Sequence, residues 1–555
     1  MQRETKHCQS CKKSFTVEPE DFAFYKKMGE VLAPIYCPEC RFKKRAVWRN
    51  EMCLYNRKCD ATGESIISVY NPNSPYTVYS VDYYTSEKWD PRSFAIDYES
   101  TKDFFEQFDE LIRKVPKKAL FPVLSVGANV NSDYVNFAGA CKDSYLCFNT
   151  AYVENVLHAK GVTNSRDSLD LYYDDSLEHC YESVNGYGNN HVVQNKNSRS
   201  CIGCTLIESC QNCTNCFGCI NLHNKSYCFF NEQLTKEEYQ EKTEKYIGSR
   251  EGMNEMIKKF NDYRKKNIHK TNQNINTVNC TGNYIFNAKN CHTCFELGDA
   301  ENSKYVIASR KTKDSYDTLA GISSEQSLES VSTSHSSTVV GTIALENCKN
   351  CLYSIYLKNC SDCIGCDGLE NTQYCILNKQ YRKEEYEKIK ETIVTQLKKA
   401  GIYGHMLPTK LSPFSYNETA AQDNFPLTKE QALLEGFKWQ EAVQVTKGKQ
   451  TINQKDIPDN INDVVNSITS EILECVSCQR NYKITAPELL LYKQIKTPIP
   501  TKCFFCRHKE RIAQRGPYQL TVRDCEHCGI TIQTSNTCEI APIIYCTECY
   551  QKEIL

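Results

Sequence analysis

Three sets of four cysteines in this 555-residue chain stand at spacings that suit a bound metal ion. Cys8 and Cys11 are followed by Cys37 and Cys40 after 25 intervening residues, and Cys475 and Cys478 by Cys503 and Cys506 after 24. Cys525 and Cys528 are followed by Cys546 and Cys549 after 17. Two residues between cysteines let both thiolates of a tight turn face one ion, and a second such turn completes the four-thiolate tetrahedron that zinc prefers. The third separation lies in the usual range for paired CxxC turns, and the other two lie slightly beyond it. The expectation is three zinc ions per chain, one per set.

The chain carries 34 cysteines, and most of the rest stand in a different pattern. Cys201 to Cys219 reads CIGCTLIESCQNCTNCFGC. An iron–sulfur run of the ferredoxin type ends CxxxCP, whereas here Cys219 follows Cys216 after two residues and Ile220 comes next. What these thiols do depends on the elements that position them.

Those elements repeat. KDSYLCF at Lys142 returns as KNCHTCF at Lys289, and YCFFNEQLTKEEY at Tyr227 as YCILNKQYRKEEY at Tyr374, both at an offset of 147 residues. From Asn279 to Cys375 every third residue is small or aliphatic, 33 positions without a charge or an aromatic, where 24% charged residues would place about eight by chance. In the first copy, from Ser132 to Cys228, the same series has only Asp174 and Lys225 as charged members. Cys280 is the one cysteine between Cys141 and Cys375 out of this phase.

A second period is twelve. Tyr145, Leu157, Leu169, Tyr181, Val193, Thr205, Phe217 and Phe229 form an outer ladder, matched in copy two by His292, Lys304, Tyr316, Leu328, Val340, Leu352, Ile364 and Ile376. A strict triplet fits neither a helix nor a half-buried strand. It fits a narrow β-solenoid of 12-residue coils with four inward positions per coil, each stacked on its equivalent about 4.8 Å away. The beetle antifreeze proteins are similar in this respect, but their outward Thr ladder is absent here. In such a coil Cys201, Cys204, Cys213 and Cys216 form a square, repeated by Cys348, Cys351, Cys360 and Cys363. The leading reading is that small thiols fill an interior too narrow for Leu or Phe. Metal in the squares, and disulfides between cysteines six apart such as Cys213/Cys219, are the alternatives. The outer ladder needs cover, from the other solenoid copy or from a second chain in a homodimer.

The chain ends are copies too. CQSCKKSFTVEPEDFAFYKK at Cys8 aligns with CVSCQRNYKITAPELLLYKQ at Cys475, and YCPECRFKKR with KCFFCRHKER. CDATGESIISVY from Cys59 matches CEHCGITIQTSN from Cys525, which places Thr62, Ser80 and Tyr83 where Cys528, Cys546 and Cys549 stand. A fourth ribbon that has lost three ligands is implied. The pattern CxxC…F…PED…YKK…CPxCR over about residues 8–45 resembles the family described as a probable zinc-ribbon domain. The layout is similar to uncharacterised long bacterial proteins with terminal ribbons, some of which carry a CaiB/BaiF CoA-transferase label. The resemblance implies zinc. No residue here supports the transferase chemistry.

The fold class expected is mainly β with α caps: terminal zinc ribbons flanking a tandemly duplicated, narrow solenoid. The organisation reads as a ribbon over 1–50, a metal-free ribbon over 51–90, a helical linker over 91–130, solenoid copy one over 131–230 and a helical cap over 231–278. Copy two follows over 279–377, a cap over 378–401, an irregular linker over 402–470, and ribbons over 471–516 and 517–555.

The sequence holds no P-loop, GxGxxG, GxSxG or HExxH. His508, beside Cys506, belongs with a basic tail because its ribbon already has four thiolates. An enzyme is therefore weakly supported. With 67 Lys+Arg against 68 Asp+Glu, global charge favours no partner, but local charge does. Arg41, Lys43, Lys44, Arg45 and Arg49 follow Cys40 with Trp48 among them, and Arg507, Lys509 and Arg511 follow Cys506. Cations beside a rigid turn can neutralise phosphates and aromatics can stack on unpaired bases, which favours nucleic acid, RNA before DNA. A solvated basic face is the plain alternative. A protein-interaction scaffold using the solenoid faces, or a metal-cluster redox protein, are the competing functions. The opening residues have no apolar signal core and no stretch approaches the roughly 20 apolar residues of a bilayer span, so a cytoplasmic chain with reduced thiols and no membrane partner is expected.

Overall fold

The computed structural model describes residues 2–123, 125–441 and 445–554. The chain divides into two compact units. One joins Met1–Leu120 with Asn272–Glu441 and Tyr518–Leu520; the other joins Phe121–Thr271 with Ala442–Pro517 and Thr521–Leu555. The N-terminal ribbon thus shares a unit with the second solenoid, and the C-terminal ribbons share a unit with the first.

Each solenoid is one long sheet wound into coils, parallel except for its last strand, which turns back antiparallel. Eleven strands run from Val135–Asn136 to Glu232–Gln233 in the first, and twelve from Ile275–Val278 to Lys379–Gln380 in the second. The register is twelve throughout the outer ladder: Tyr145 pairs with Leu157, Leu157 with Leu169, Leu169 with Tyr181, and so on to Phe217 with Phe229. The triplet has a backbone cause. Nearly every third residue is left-handed, as at Asn155 (φ 50°), Asp167 (φ 47°) and Asn302 (φ 49°), which turns the chain four times per coil. Asn and Asp tolerate this conformation best among residues with a Cβ, and at many corners their side chains also bridge coils. Asn155 donates to Asp167 at 2.7 Å, and Asn290 to Asn302 at 3.1 Å.

The residue after each corner points inward, where only small side chains fit. Cys280 joins this interior although it breaks the triplet phase. The first coil of the second solenoid has eleven residues, pairing Ile275 with Phe286 and Thr277 with Ala288, and the missing residue shifts Cys280 into line. Asp174, the charged inward residue of copy one, accepts hydrogen bonds from Tyr172 N (2.9 Å), Ser183 Oγ (2.8 Å) and Gly186 N (2.5 Å). Lys225 sits exposed near the last coil.

The outer ladder is covered in each unit by segments of that same unit. Leu157, Leu169 and Tyr181 pack against Ile461, Leu489, Tyr492 and Ile495 of the C-terminal region in their own unit. Phe217 packs against Met256 and Phe260 of the helix Arg250–Arg264. In the other unit Tyr316 stacks on Phe24 with ring centroids 3.9 Å apart, and Lys304 reaches Asp21 at 2.8 Å. Helices inside the ribbons, Pro19–Lys27 and Ala486–Ile495, together with the helix Arg250–Arg264, therefore serve as lids for two sides of each coil stack. The remaining sides face solvent.

Candidate metal centres and their docking helices

In each of the three four-cysteine sets all Sγ atoms lie within 4.8 Å of one another. The first turn is built the same way in all three. Cys8, Cys475 and Cys525 each donate a backbone N–H to the carbonyl five residues on, at 2.9 Å. The residue after the second cysteine is left-handed: Lys12, Gln479 and Gly529 have φ of 63°, 61° and 73°. The second turn opens a helix in every case, Pro38–Ala46 after Cys37, Phe504–Arg515 after Cys503, and Thr547–Ile554 after Cys546. Helix starts carry unsatisfied N–H groups and a positive dipole end, which favour thiolate over thiol.

The donor geometry fits a tetrahedral ion. Sγ separations are 3.6 Å for Cys11 and Cys37, 3.6 Å for Cys478 and Cys503, and 3.9 Å for Cys528 and Cys546. A metal–sulfur bond of about 2.3 Å places tetrahedral sulfurs about 3.8 Å apart. Backbone donors also reach the sulfurs: Cys546 N lies 3.2 Å from Cys525 Sγ, and Cys549 N lies 3.4 Å from Cys546 Sγ. Burial opposes ionisation of Cys525, but the N–H groups of Cys546, Cys528 and His527 outweigh it and hold the thiol down to about 6. Four-thiolate sets of this shape suit zinc or iron.

The segment at Cys59 keeps the turn without the donors. Cys59 N bonds Glu64 O at 2.9 Å and Gly63 has φ of 74°, as in the metal sets. Ser80 N donates to Cys59 Sγ at 3.3 Å, as Cys546 N does to Cys525. Ser80 Oγ then caps the short helix Val81–Tyr84 by accepting from Tyr83 N. A hydroxyl cap replaces a metal ligand.

The solenoid thiols are a different population. Cys213 Sγ lies 3.3 Å from the carbonyls of Gln211 and Leu222, and Cys360 Sγ lies 3.2 Å from Lys358 O and 3.3 Å from Leu369 O. A ring of carbonyl oxygens suits a neutral S–H donor and repels a thiolate. Burial pushes Cys180 and Cys291 up to about 12, whereas contacts with neighbouring cysteines pull Cys213, Cys351 and Cys360 down. Among the described residues the squares do not gather as the terminal sets do.

The basic residues beside the ribbons have a use within the chain. Arg41 and Arg45 leave one face of the helix Pro38–Ala46 and meet two acids of the second solenoid. Arg41 Nε is 3.0 Å from Asp317, and Arg45 Nη1 is 2.9 Å from Asp317 and 2.7 Å from Glu329. Arg507 and Arg511 repeat this on the first solenoid, at 2.9 Å from Asp170 for each and 3.2 Å from Glu182 for Arg511. Even the secondary contacts match, with Arg41 donating to Tyr36 O and Arg507 to Lys502 O. Arg49 pairs with Glu51 at 2.5 Å, and Trp48 is 2% exposed.

Six of the nine residues expected to touch nucleic acid, Arg41, Arg45, Trp48, Arg49, Arg507 and Arg511, are therefore buried. Of the other three, Lys43 pairs with Glu435 at 2.8 Å, Lys44 lies 4.3 Å from the Tyr36 ring centroid, and Lys509 is exposed. The correction has a physical reason: a guanidinium at i, i+4 spacing on a docked helix finds acids more cheaply inside the chain than phosphates outside it. A signal for those acids was present, since the 147-residue duplication keeps Asp170 as Asp317 and Glu182 as Glu329 at corner positions.

No protein-family model matches the chain, and no curated protein matches it significantly. No helix among the described residues is long and apolar enough to cross a membrane.

Proposed function

We propose that the chain is a non-catalytic, multi-zinc scaffold that associates with nucleic acid, RNA before DNA, in the cytoplasm. Zinc is the ion assigned to the three four-cysteine sets, and their ribbons belong by this reading to the zinc-ribbon type. The observation that carries the nucleic-acid reading is a difference between two copies of one ribbon. In the N-terminal copy Lys13 faces Glu39 at 3.6 Å and Lys43 faces Glu435 at 2.8 Å. In the copy near residue 475 the equivalents are Arg480, Phe505 and Lys509, and the acid at the middle position is gone. Cations that one copy pairs with acids stand without a paired acid in the other. Purification of the full chain from its native cell with and without nuclease, followed by crosslinking, tests this reading. Loss of the co-purifying material on RNase treatment supports it.

A protein partner is the second reading. Two sides of each solenoid remain uncovered, and they expose Tyr152 (57%), Ile202 (53%) and Ile322 (42%). A defined protein that stays bound after nuclease treatment supports this reading instead.

A further inference from the structure

The cations left over on the second ribbon are arranged as well as unpaired. The Arg480 guanidinium lies over the Phe505 ring, 5.2 Å from its centroid. Phe505 and Lys509 are four apart on the helix Phe504–Arg515 and so share one face. On the other side of Arg480 the chain returns as a β-bridge, with Lys447 directly opposite Arg480. Asn481 N bonds Thr446 O at 2.8 Å and Asn481 Oδ1 accepts from Lys449 N at 3.0 Å, which fixes that register. Like charges directly opposite across a strand pair repel, so Lys447 beside Arg480 has a cost that an anion would remove. Nearby acids are engaged or turned away. Glu510 pairs with Lys502, and Glu474 sits opposite Asn481, whose side chain leaves the other face of the strand from Arg480. Among the described residues Lys447, Arg480 and Lys509 have no carboxylate within ion-pair distance.

Resting on the nucleic-acid reading, we infer that Lys447, Arg480, Phe505 and Lys509 form a binding site for single-stranded nucleic acid. Phe505 backs one side of the guanidinium, so that its outer face offers a planar cation on which one unpaired base stacks. Lys447 and Lys509 flank that plane and take the adjoining phosphates. A duplex keeps its bases stacked on one another and cannot use the plane, which sets the preference for single strands.

The test uses the full-length, metal-loaded chain and a fluorescein-labelled 12-nucleotide oligouridylate, with an RNA duplex and inorganic polyphosphate as comparison probes. The oligouridylate should bind more tightly than either comparison. Lys447→Ala with Lys509→Ala should weaken binding of all three and lower the slope of log K against log salt by about 1.4 for the single strand, two phosphates at roughly 0.7 each. Arg480→Lys keeps the charge and removes the plane, so it should weaken the oligouridylate about tenfold and leave polyphosphate unchanged. Equal binding of oligouridylate and polyphosphate overturns the stacking site. Oligouridylate binding that none of these variants alters also overturns it, while leaving nucleic-acid association elsewhere on the chain intact. No binding of any nucleic acid removes both readings. These cations could instead only offset the negative charge of the four-thiolate centre. In that case the variants lower metal affinity in a chelator competition without changing oligonucleotide binding, and the inference fails.

Discussion

Arg45 and Glu329 meet at 2.7 Å with 0% and 5% of their side chains exposed. Arg511 and Glu182 meet in the same way at 3.2 Å in the other unit. Each pair clamps a helix that begins at a cysteine of a candidate metal set onto a solenoid, so any ion held there and the docking of the ribbon are mechanically linked.

Breaking one clamp should be costly. Glu329→Gln leaves a buried guanidinium short of a partner, and loss of one member of a buried pair costs about 3–5 kcal/mol. Calorimetry of the full chain should show the transition of the unit containing residues 272–441 moving down while the other stays. Replacing Arg45 and Glu329 together by Met should recover most of the loss. A single variant with an unchanged thermogram would mean that the clamp holds nothing.

Metal content should be three zinc ions per chain. Cys503→Ser should remove one ion and loosen its ribbon, because structural zinc supplies much of the folding free energy of so small a unit. Cys213→Ser should leave the count at three. Elemental analysis giving five ions per chain would show that the solenoid squares bind metal after all.

Thiol accessibility should divide the cysteines sharply. In the metal-loaded protein Cys538, exposed and outside every set, should be alkylated first. Cys53 and Cys280, both half-buried, should follow slowly, and the other solenoid thiols, all buried, should react only on unfolding. Peptide mass spectrometry after a short pulse of iodoacetamide reads this order directly. Early labelling of Cys213 or Cys360 would contradict the carbonyl-lined interior.

Stability should fall between pH 6.5 and 8. Burial inside the coil pushes Asp174 up to about 7. A carboxyl that holds its proton more tightly when folded contributes stability that is complete below its unfolded value and is lost as pH rises through the folded one. Buried histidines such as His158 and His508, held below the ordinary value of 6.5, add the opposite slope only beneath that pH. Glu208, where burial is outweighed by Lys196, Arg264 and His269, is held down to about 2 and acts only below about pH 4.5. Melting of the zinc-saturated chain at pH 6.5, 7.2 and 8.0 measures the slope. Asp174→Asn should reduce it even if the midpoint also drops, and a midpoint rising with pH would refute the assignment.

The coil period and the cysteine sets were legible because both are local. A left-handed corner every third residue forces a small inward residue every third residue, and CxxC fixes two ligands on one turn. Cys280 was misplaced because a coil of eleven residues is invisible to a strict triplet. The arginines were misread for a different reason. Arg41 and Arg45 show their charge in the sequence, but their partners Asp317 and Glu329 are solenoid corner residues that local spacing does not connect to a ribbon. Cover for the outer ladder failed likewise, since Ile461 and Tyr492 lie in a stretch with no strong period of its own.

The pairing of early ribbon with late solenoid has a consequence for synthesis. Arg45 leaves the ribosome 284 residues ahead of Glu329, so its helix waits about 15–60 s for a docking partner at the usual 5–20 residues per second. Asp170 waits still longer for Arg507, which lies 337 residues downstream. The stretch Leu157, Leu169 and Tyr181 of the first solenoid therefore emerges bare, and Asp170 unmatched, until Ile461, Tyr492 and Arg507 have been made. Until that cover arrives, the bare apolar ladder is the part of the nascent chain most exposed to stacking on neighbouring copies along the polysome.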